Sequence, residues 1–358
     1  TRRSSDLPTT RYQGSKRKIL PWIYSAIKGL KFETALDAFG GSASVSYLFK
    51  KMNKSITYND KLYFNFLMGK AIIENEEITL SETDLDYILK KNEKINYNNF
   101  IQSHFKNVYF LEEENIWLDK VVSNIAQMNH YEHDILQYKK CLAYYALFQS
   151  SIIKRPFNLF HRNNLGIRTS DVERNFGNKT TWDKSFEDYF IKFSNEANSL
   201  VFNSGKECRS INQSAFNIDP YGFDLVYLDP PYMKRKAKNE SSNYLKCYHF
   251  LEGLSKYQSW ESLIDYESIN LRFKQKNDDN DFKLSNINEI YEKLIYNYRK
   301  SIIVLSYKKE GAPSIDFLVD LIKKVKGNVR MVSRHYKYAL NHQNGDAKNN
   351  REVLIIGV

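Results

Sequence analysis

Two short apolar segments enclose a helical one near the start of this chain, and that succession limits the fold more than any other feature. "ALDAF", Ala35 to Phe39, has the length and composition of a buried strand. "GGSASVSYLFKKM" follows with helical spacing, and "SITYND", Ser55 to Asp60, is strand-like again. Strand, helix and strand within about 25 residues form a βαβ unit, whose strands must run parallel. A second series lies far downstream. "ECRSIN", "DLVYLD", "SIIVLSY", "NVRMVSRHY" and "EVLIIGV" each read as a strand, with "INEIYEKLIYNYRK" and "SIDFLVDLIKKVK" as helices among them. The last two strands are linked by "KYALNHQNGDAKNN", too short and polar for a crossover helix, so the final strand is expected to be antiparallel. Between the two series, from Leu62 to about Leu200, the pattern is helical, with "CLAYYALFQSSIIK" its most apolar stretch. The expected architecture is α/β: a mostly parallel sheet with an antiparallel last strand, interrupted by a helical insertion. Its expected boundaries are residues 1–66, 67–200 and 201–358.

Hydrophobic residues make up 42% of the 358, enough for a substantial core, yet no stretch approaches the length of a membrane span. No secretory signal is visible at the start. Three cysteines without paired spacing suit a reducing cytoplasm and argue against a structural zinc site. Lysines and arginines number 53 against 42 acids, a formal net charge of +11, and aromatics reach 15%. Such a surface suits a phosphate backbone and stacked bases, or simply many solvated lysines.

Three stretches carry chemistry. In "DAFGGSASV", Asp37 to Val45, small residues follow the carboxyl end of a strand and open a helix, where ligands of open α/β sheets bind. The dinucleotide fingerprint G-x-G-x-x-G is absent, because Ala43 and Ser46 occupy its later glycine positions. Asp60 ends the next strand, where an acid can accept hydrogen bonds from ribose hydroxyls; it also suits a helix N-cap. "RYQGSKRK", Arg11 to Lys18, precedes a helix and offers Lys16 as a cation for a carboxylate, or is a plain basic helix start. The most distinctive stretch is "YLDPPY", Tyr227 to Tyr232. Proline fixes φ and has no amide hydrogen, so the strand stops there. The Asp229 carboxylate and the Pro230 carbonyl can together accept both hydrogens of an amino group, and Tyr232 offers a face for a base. That is a device for aiming a nucleophile without metal or covalent intermediate.

Taken in order, "RYQGSK", "DAFGGSAS", the acid of "TYND" and "YLDPPY" closely resemble the adenine-specific DNA methyltransferases of the α group, the Dam-like enzymes. The resemblance implies a Rossmann-like methyltransferase fold with S-adenosyl-L-methionine as cofactor. The helical insertion would be the target-recognition domain between two parts of a catalytic domain. Tyr12 and Lys16 resemble positions that meet the methionine part of the cofactor. Asp37, Phe39, Gly41 and Ser42 resemble the loop around it, and Asp60 the ribose acid. Asp229 and Pro230 would hold the adenine amine, and Tyr232 would stack on the extruded base. Two departures stand out. Ala43 replaces a common glycine and is expected to tighten the pocket. Ser214 stands where the family usually has an aspartate facing the cofactor's adenine, and would act as a weaker partner.

The implied reaction moves a methyl group to the N6 amine of adenine in a specific duplex sequence, with the base swung out of the helix. Transfer to RNA or to cytosine's amine, or a silent relative that only binds DNA, are the alternatives. Within "KRPFNLFHRNNLGIRTS", Arg155, Asn158, Arg162, Asn163 and Arg168 are the candidate DNA contacts, to bases or to phosphates. Lys234 and Arg235, directly after the tetrapeptide, would add charge beside the site. Double-stranded DNA is the expected partner and a restriction endonuclease a companion. The setting is cytoplasmic, and the recognition sequence and oligomeric state are not legible.

Overall fold

A computed structural model describes residues 8–9, 12–161, 164–170, 179–233, 243–274, 281–335 and 351–358. All seven expected strands form: β1 (Thr34–Asp37), β2 (Ser55–Asn59), β3 (Cys208–Ile211), β4 (Leu225–Leu228), β5 (Ile302–Lys308), β6 (Val329–His335) and β7 (Arg351–Gly357). They build one sheet in the order β3-β2-β1-β4-β5-β7-β6. Pairings from β3 through β5 are parallel, while β7 runs antiparallel to both β5 and β6. The hairpin expected from the short polar link therefore sets the one reversed strand.

Burial follows from this order. β4 is buried throughout, and β5 and β7 nearly so, as continuous apolar runs covered on both faces should be. β6, at the edge, exposes Arg330, Ser333, Arg334 and His335, a composition that discourages pairing with another chain. On one face, Leu36, Val226, Leu228, Ile303, Leu305 and Ile355 pack against the helices Ile287–Asn297 and Ile315–Val325. Burial of a large aliphatic side chain is worth about 1.5–3 kcal/mol, so this layer holds the strand ends rigidly.

The chain divides into two compact units. A sheet unit comprises Gly14–Gly69, Ser204–Tyr244 and Lys276–Val358; a helical unit comprises Thr1–Gln13, Lys70–Asn203 and Leu245–Gln275. The expected boundaries left residues 1–13 and 245–275 with the sheet. Aromatic packing explains the difference: Phe250, on the helix Tyr244–Ser255, lies 5.2 Å from Phe105 and 5.4 Å from Phe110, both in the helical unit. Among the described residues the helical unit has no strand in the sheet, and its longest helix is His133–Ile153. No helix among the described residues is long and apolar enough to cross a membrane.

Candidate active site

The order of the sheet reverses between β1 and β4. From β1 the chain proceeds to β2 on one side, and β4 begins the other half. A switch of this kind leaves a crevice beyond the carboxyl ends of the two strands. In the β1–β4 register Asp37 stands opposite Tyr227, so Asp37 and Asp229 end neighbouring strands at that crevice.

After β1 the chain makes a tight, well-bonded turn. Gly40 donates its amide hydrogen to the Asn59 carbonyl at 2.8 Å, and Asn59 Nδ2 donates to Ala38 O at 2.9 Å. A Cβ on Gly40 would lie 2.1 Å from the Tyr58 ring, so no larger residue fits there. Asp60 accepts from the Gly41 amide and the Leu62 amide, both at 2.9 Å. It thus clamps the loop and braces the turn that leads into the helix Tyr63–Gly69, ahead of that helix's own N-cap, and a carboxylate keeps further lone pairs for a ligand. Ser42 shares a hydroxyl cluster with Ser15 and Ser44, at 3.1 and 2.9 Å. Ala43 takes a left-handed φ of +58, which glycine adopts more easily, but its methyl is fully buried. Ala43, expected to tighten the pocket, is packed inside the protein at the start of the helix Ser44–Lys51.

Asp37 is 1% exposed. Ser46 donates to its Oδ2 at 2.7 Å, whereas Oδ1 has no hydrogen-bond partner. Burial pushes this carboxyl up to about 7, against the pull of Ser46 and with a further push from Asp229 and Asp60. A buried acceptor without a donor is costly, and a cationic ligand would relieve it.

At the end of β4, Pro230 is buried and Asp229 half-buried. The following loop is pinned beyond Tyr232, where Ala312 donates its amide hydrogen to Met233 O at 2.9 Å. Among the described residues the Pro230 carbonyl receives no backbone hydrogen bond. Lys16 reaches into this corner, with Nζ 3.0 Å from Asp229 Oδ2 and 2.9 Å from Glu352 Oε1. It also donates to the Tyr232 hydroxyl at 2.9 Å and lies 4.9 Å from that ring's centroid. The Tyr232 hydroxyl has one proton and two carboxylates in reach, Asp229 Oδ1 at 2.6 Å and Glu352 Oε1 at 2.7 Å. Ser306 Oγ donates to the same Glu352 oxygen at 2.8 Å. Burial pushes the Asp229 carboxyl up; Lys16 opposes this and Glu352 adds to it, leaving it above the ordinary range.

Lys16, Asp37, Phe39, Gly41, Ser42, Asp60, Ser214, Asp229, Pro230 and Tyr232 thus all belong to the sheet unit. Tyr12 does not. Its ring stacks on Tyr248 at 4.7 Å within the helical unit. Ser214 is bonded to a carboxylate absent from the sequence reading: Ser214 Oγ donates to Asp281 Oδ2 at 3.0 Å, and Lys61 pairs with Asp281 at 2.8 Å. Phe282, next to it, meets Phe39 at 5.7 Å and Phe216 at 5.9 Å.

Glu352 and Asp281 are the residues that sequence reasoning missed. One signal pointed to Glu352: an acid heading an apolar strand, "EVLIIGV", needs a buried partner.

Two candidate DNA contacts are engaged within the helical unit. Arg155 is 1% exposed and donates to the carbonyls of Tyr109, Leu159 and His161, so it holds the interior of the helical unit. Arg168 makes a bidentate pair with Glu114, at 2.9 and 2.7 Å, and is likewise engaged. Asn158 is half-buried with a left-handed φ of +57, beside the exposed Phe157. Arg162, Asn163, Lys234 and Arg235 lie outside the described residues.

An open sheet with acids at its switch point and a strand stopped by two prolines is the frame of an α/β group-transfer enzyme that handles a nucleotide. The chain belongs to the D12 class N6 adenine-specific DNA methyltransferases, the family that matches its residues 12–310. It is 26% identical over 356 residues to the type II methyltransferase M2.HphI of Haemophilus parahaemolyticus, covering 98% of this chain and 97% of that protein. The modification methylase StsI of Streptococcus sanguinis is 26% identical across 96% of this chain, which spans 50% of its length. The type II methyltransferase M.FokI of Planomicrobium okeanokoites is 26% identical across 84% of this chain and 45% of its own length. This chain is therefore a DNA methyltransferase acting on the N6 amine of adenine.

Proposed function

We propose that S-adenosyl-L-methionine is the methyl donor and that the acceptor adenine is extruded from a specific duplex sequence. The observation that carries this reading is the pairing of Asp229 and the Pro230 carbonyl at the end of β4, next to Asp37 at the end of β1. When bound, the cofactor supplies a methyl group on a positively charged sulfonium. Asp37 Oδ1, buried and without a donor, suits the cofactor's ammonium. Asp60 is assigned to the ribose hydroxyls. Ser214 and Asp281 together replace the missing aspartate and accept the cofactor's own adenine amine, with Phe39 and Phe282 nearby.

Adenine's amine is a weak nucleophile, because its lone pair is delocalised into the ring. Hydrogen bonds to Asp229 and Pro230 O localise that pair and stabilise the positive charge that grows on nitrogen. Extrusion costs a few kcal/mol, offset in part by stacking on Tyr232 at about 1–3 kcal/mol. The helical unit is assigned the reading of sequence. There Arg155 anchors a turn that presents Phe157, 49% exposed, together with Asn158. The relatives' designations as type II methyltransferases and a modification methylase support a companion restriction endonuclease, and a cytoplasmic setting follows from that.

The test is product analysis. Unmethylated duplex DNA amplified in vitro is incubated with the protein and S-adenosyl-L-methionine, then digested to nucleosides. N6-methyldeoxyadenosine is the expected product. Methylcytosine alone, or labelling confined to added RNA, would overturn the assignment.

A further inference from the structure

Each oxygen of Asp229 already accepts one donor in this structure. Its Oδ2 faces Lys16 at 3.0 Å, and its Oδ1 faces the Tyr232 hydroxyl at 2.6 Å. A substrate amine that is to donate to Asp229 competes with these donors for the same two oxygens. Both donors already have a second acceptor in place, the single oxygen Glu352 Oε1, at 2.9 Å from Lys16 and 2.7 Å from Tyr232. Glu352 is completely buried, heads β7 opposite Lys308, and is steadied by Ser306.

We infer that Glu352 is a positioning residue: it retains Lys16 and receives the Tyr232 hydroxyl hydrogen bond when the adenine amine arrives, which releases Asp229 to accept from that amine. This rests on the assignment of Asp229 made above. No covalent bond changes and no proton leaves its parent group. The Tyr232 O–H turns from one oxygen to another, and Lys16 exchanges one of its three acceptors. The exchange also keeps the Tyr232 ring held by its hydroxyl while its face meets the base.

The experiment compares wild type, Glu352→Gln and Glu352→Asp as full chains, with S-adenosyl-L-methionine and unmethylated duplex DNA amplified in vitro. The readouts are kcat across pH, cofactor affinity by calorimetry, and thermal unfolding. The groups facing Asp229 are Lys16, Glu352, Tyr232, Asp37, Tyr227 and Tyr291. Glu352→Gln removes a charge that pushes Asp229 up, so the acid limb of the rate profile should move to lower pH. With it, kcat should fall roughly 10- to 100-fold while cofactor affinity changes less than about threefold. Glu352→Asp should recover part of the rate. A folded Glu352→Gln protein with unchanged kcat and an unmoved acid limb would overturn the inference. Should that variant not fold, Ser306→Ala, which frees Glu352 from its third donor, should alter kcat about two- to fivefold, and no change would count against it. Activity that survives Asp229→Ala would instead remove the underlying assignment, so the two failures are separable.

Discussion

Glu114 in the helical unit and Asp229 in the sheet unit each belong to a buried cluster of cations and carboxylates, and the two clusters are built differently. In the helical unit a single carboxylate, Glu114, faces two cations: Lys154 at 2.7 Å and the Arg168 fork at 2.7 and 2.9 Å. Glu114 and Lys154 there have additional structural work. Glu114 caps its own helix through the Leu111 amide at 2.9 Å, and Lys154 donates to the carbonyls of Trp182 and Lys184 at 2.6 Å. In the sheet unit Lys16 lies between two carboxylates, Asp229 and Glu352, and Asp37 Oδ1 nearby has no hydrogen-bond partner among the described residues. A cluster whose donors outnumber its acids and find backbone carbonyls is a lock. A cluster with surplus acceptors is built to receive donors from outside, and an amine and a cationic cofactor are such donors.

The carboxyl pKa values follow the same division. Burial pushes Glu114 up, but Arg168 and Lys154 outweigh it and hold the carboxyl below its usual range. Burial also pushes Asp229 up, and there the single Lys16 does not overcome it.

Breaking the lock should have the largest effect. Glu114→Ala leaves Lys154 and Arg168 buried without a carboxylate and is expected to lower stability by about 3–5 kcal/mol, seen in denaturant unfolding. Cofactor affinity of the folded fraction should stay within about twofold, because the assigned contacts belong to the other unit. Affinity lost in proportion would erase the contrast. Acid should act on the lock in the same sense. A carboxyl held low in the folded state contributes stability that is present above roughly pH 4 and lost as pH falls further, and Glu114→Gln should remove that component.

Next comes Asp37. Its carboxyl, pushed up to about 7, must lose its proton to receive a cation. Cofactor affinity should therefore rise between pH 5.5 and 7.5, by roughly tenfold, and Asp37→Asn should flatten that rise. For folding the sign is opposite. The folded state holds a proton that the unfolded chain has released above roughly pH 4, so this group's contribution declines as pH rises towards 7. The smallest effect belongs to Asp281. Asp281→Ala should weaken cofactor binding by about 3- to 10-fold, near one hydrogen bond to a charged group, with kcat at saturating cofactor little changed. An unaltered isotherm would leave Ser214 without the partner assigned to it.

These regions were not equally legible in the sequence. β1, β4 and β5 announced themselves as apolar runs, and "GGSAS" and "DPPY" marked their ends, because turn chemistry is local. The reversed β7 followed from the length of one link. Glu352 lies 120 residues from Tyr232 and reaches the site only through the pairing of β7 with β5. Asp281 lies 67 residues from Ser214, and no pattern near either one announces the contact. The intramolecular partners of Arg155 and Arg168 were hidden for a related reason. A charge in a polar stretch reads the same whether solvent or a buried carbonyl receives it, and Glu114, which decides the matter for Arg168, lies 54 residues upstream. Residues 245–275 group with the helical unit because aromatic contacts, not chain order, decide where that helix packs.

At the centre of the account is the grip of Asp229 on the acceptor amine. Single-turnover transfer of labelled methyl from S-adenosyl-L-methionine to unmethylated duplex DNA, compared for wild type and Asp229→Ala, tests it most directly. A loss of about 10²–10³-fold or more with cofactor affinity within a few-fold of wild type is the expected result. Transfer at the wild-type rate by the folded variant would contradict it.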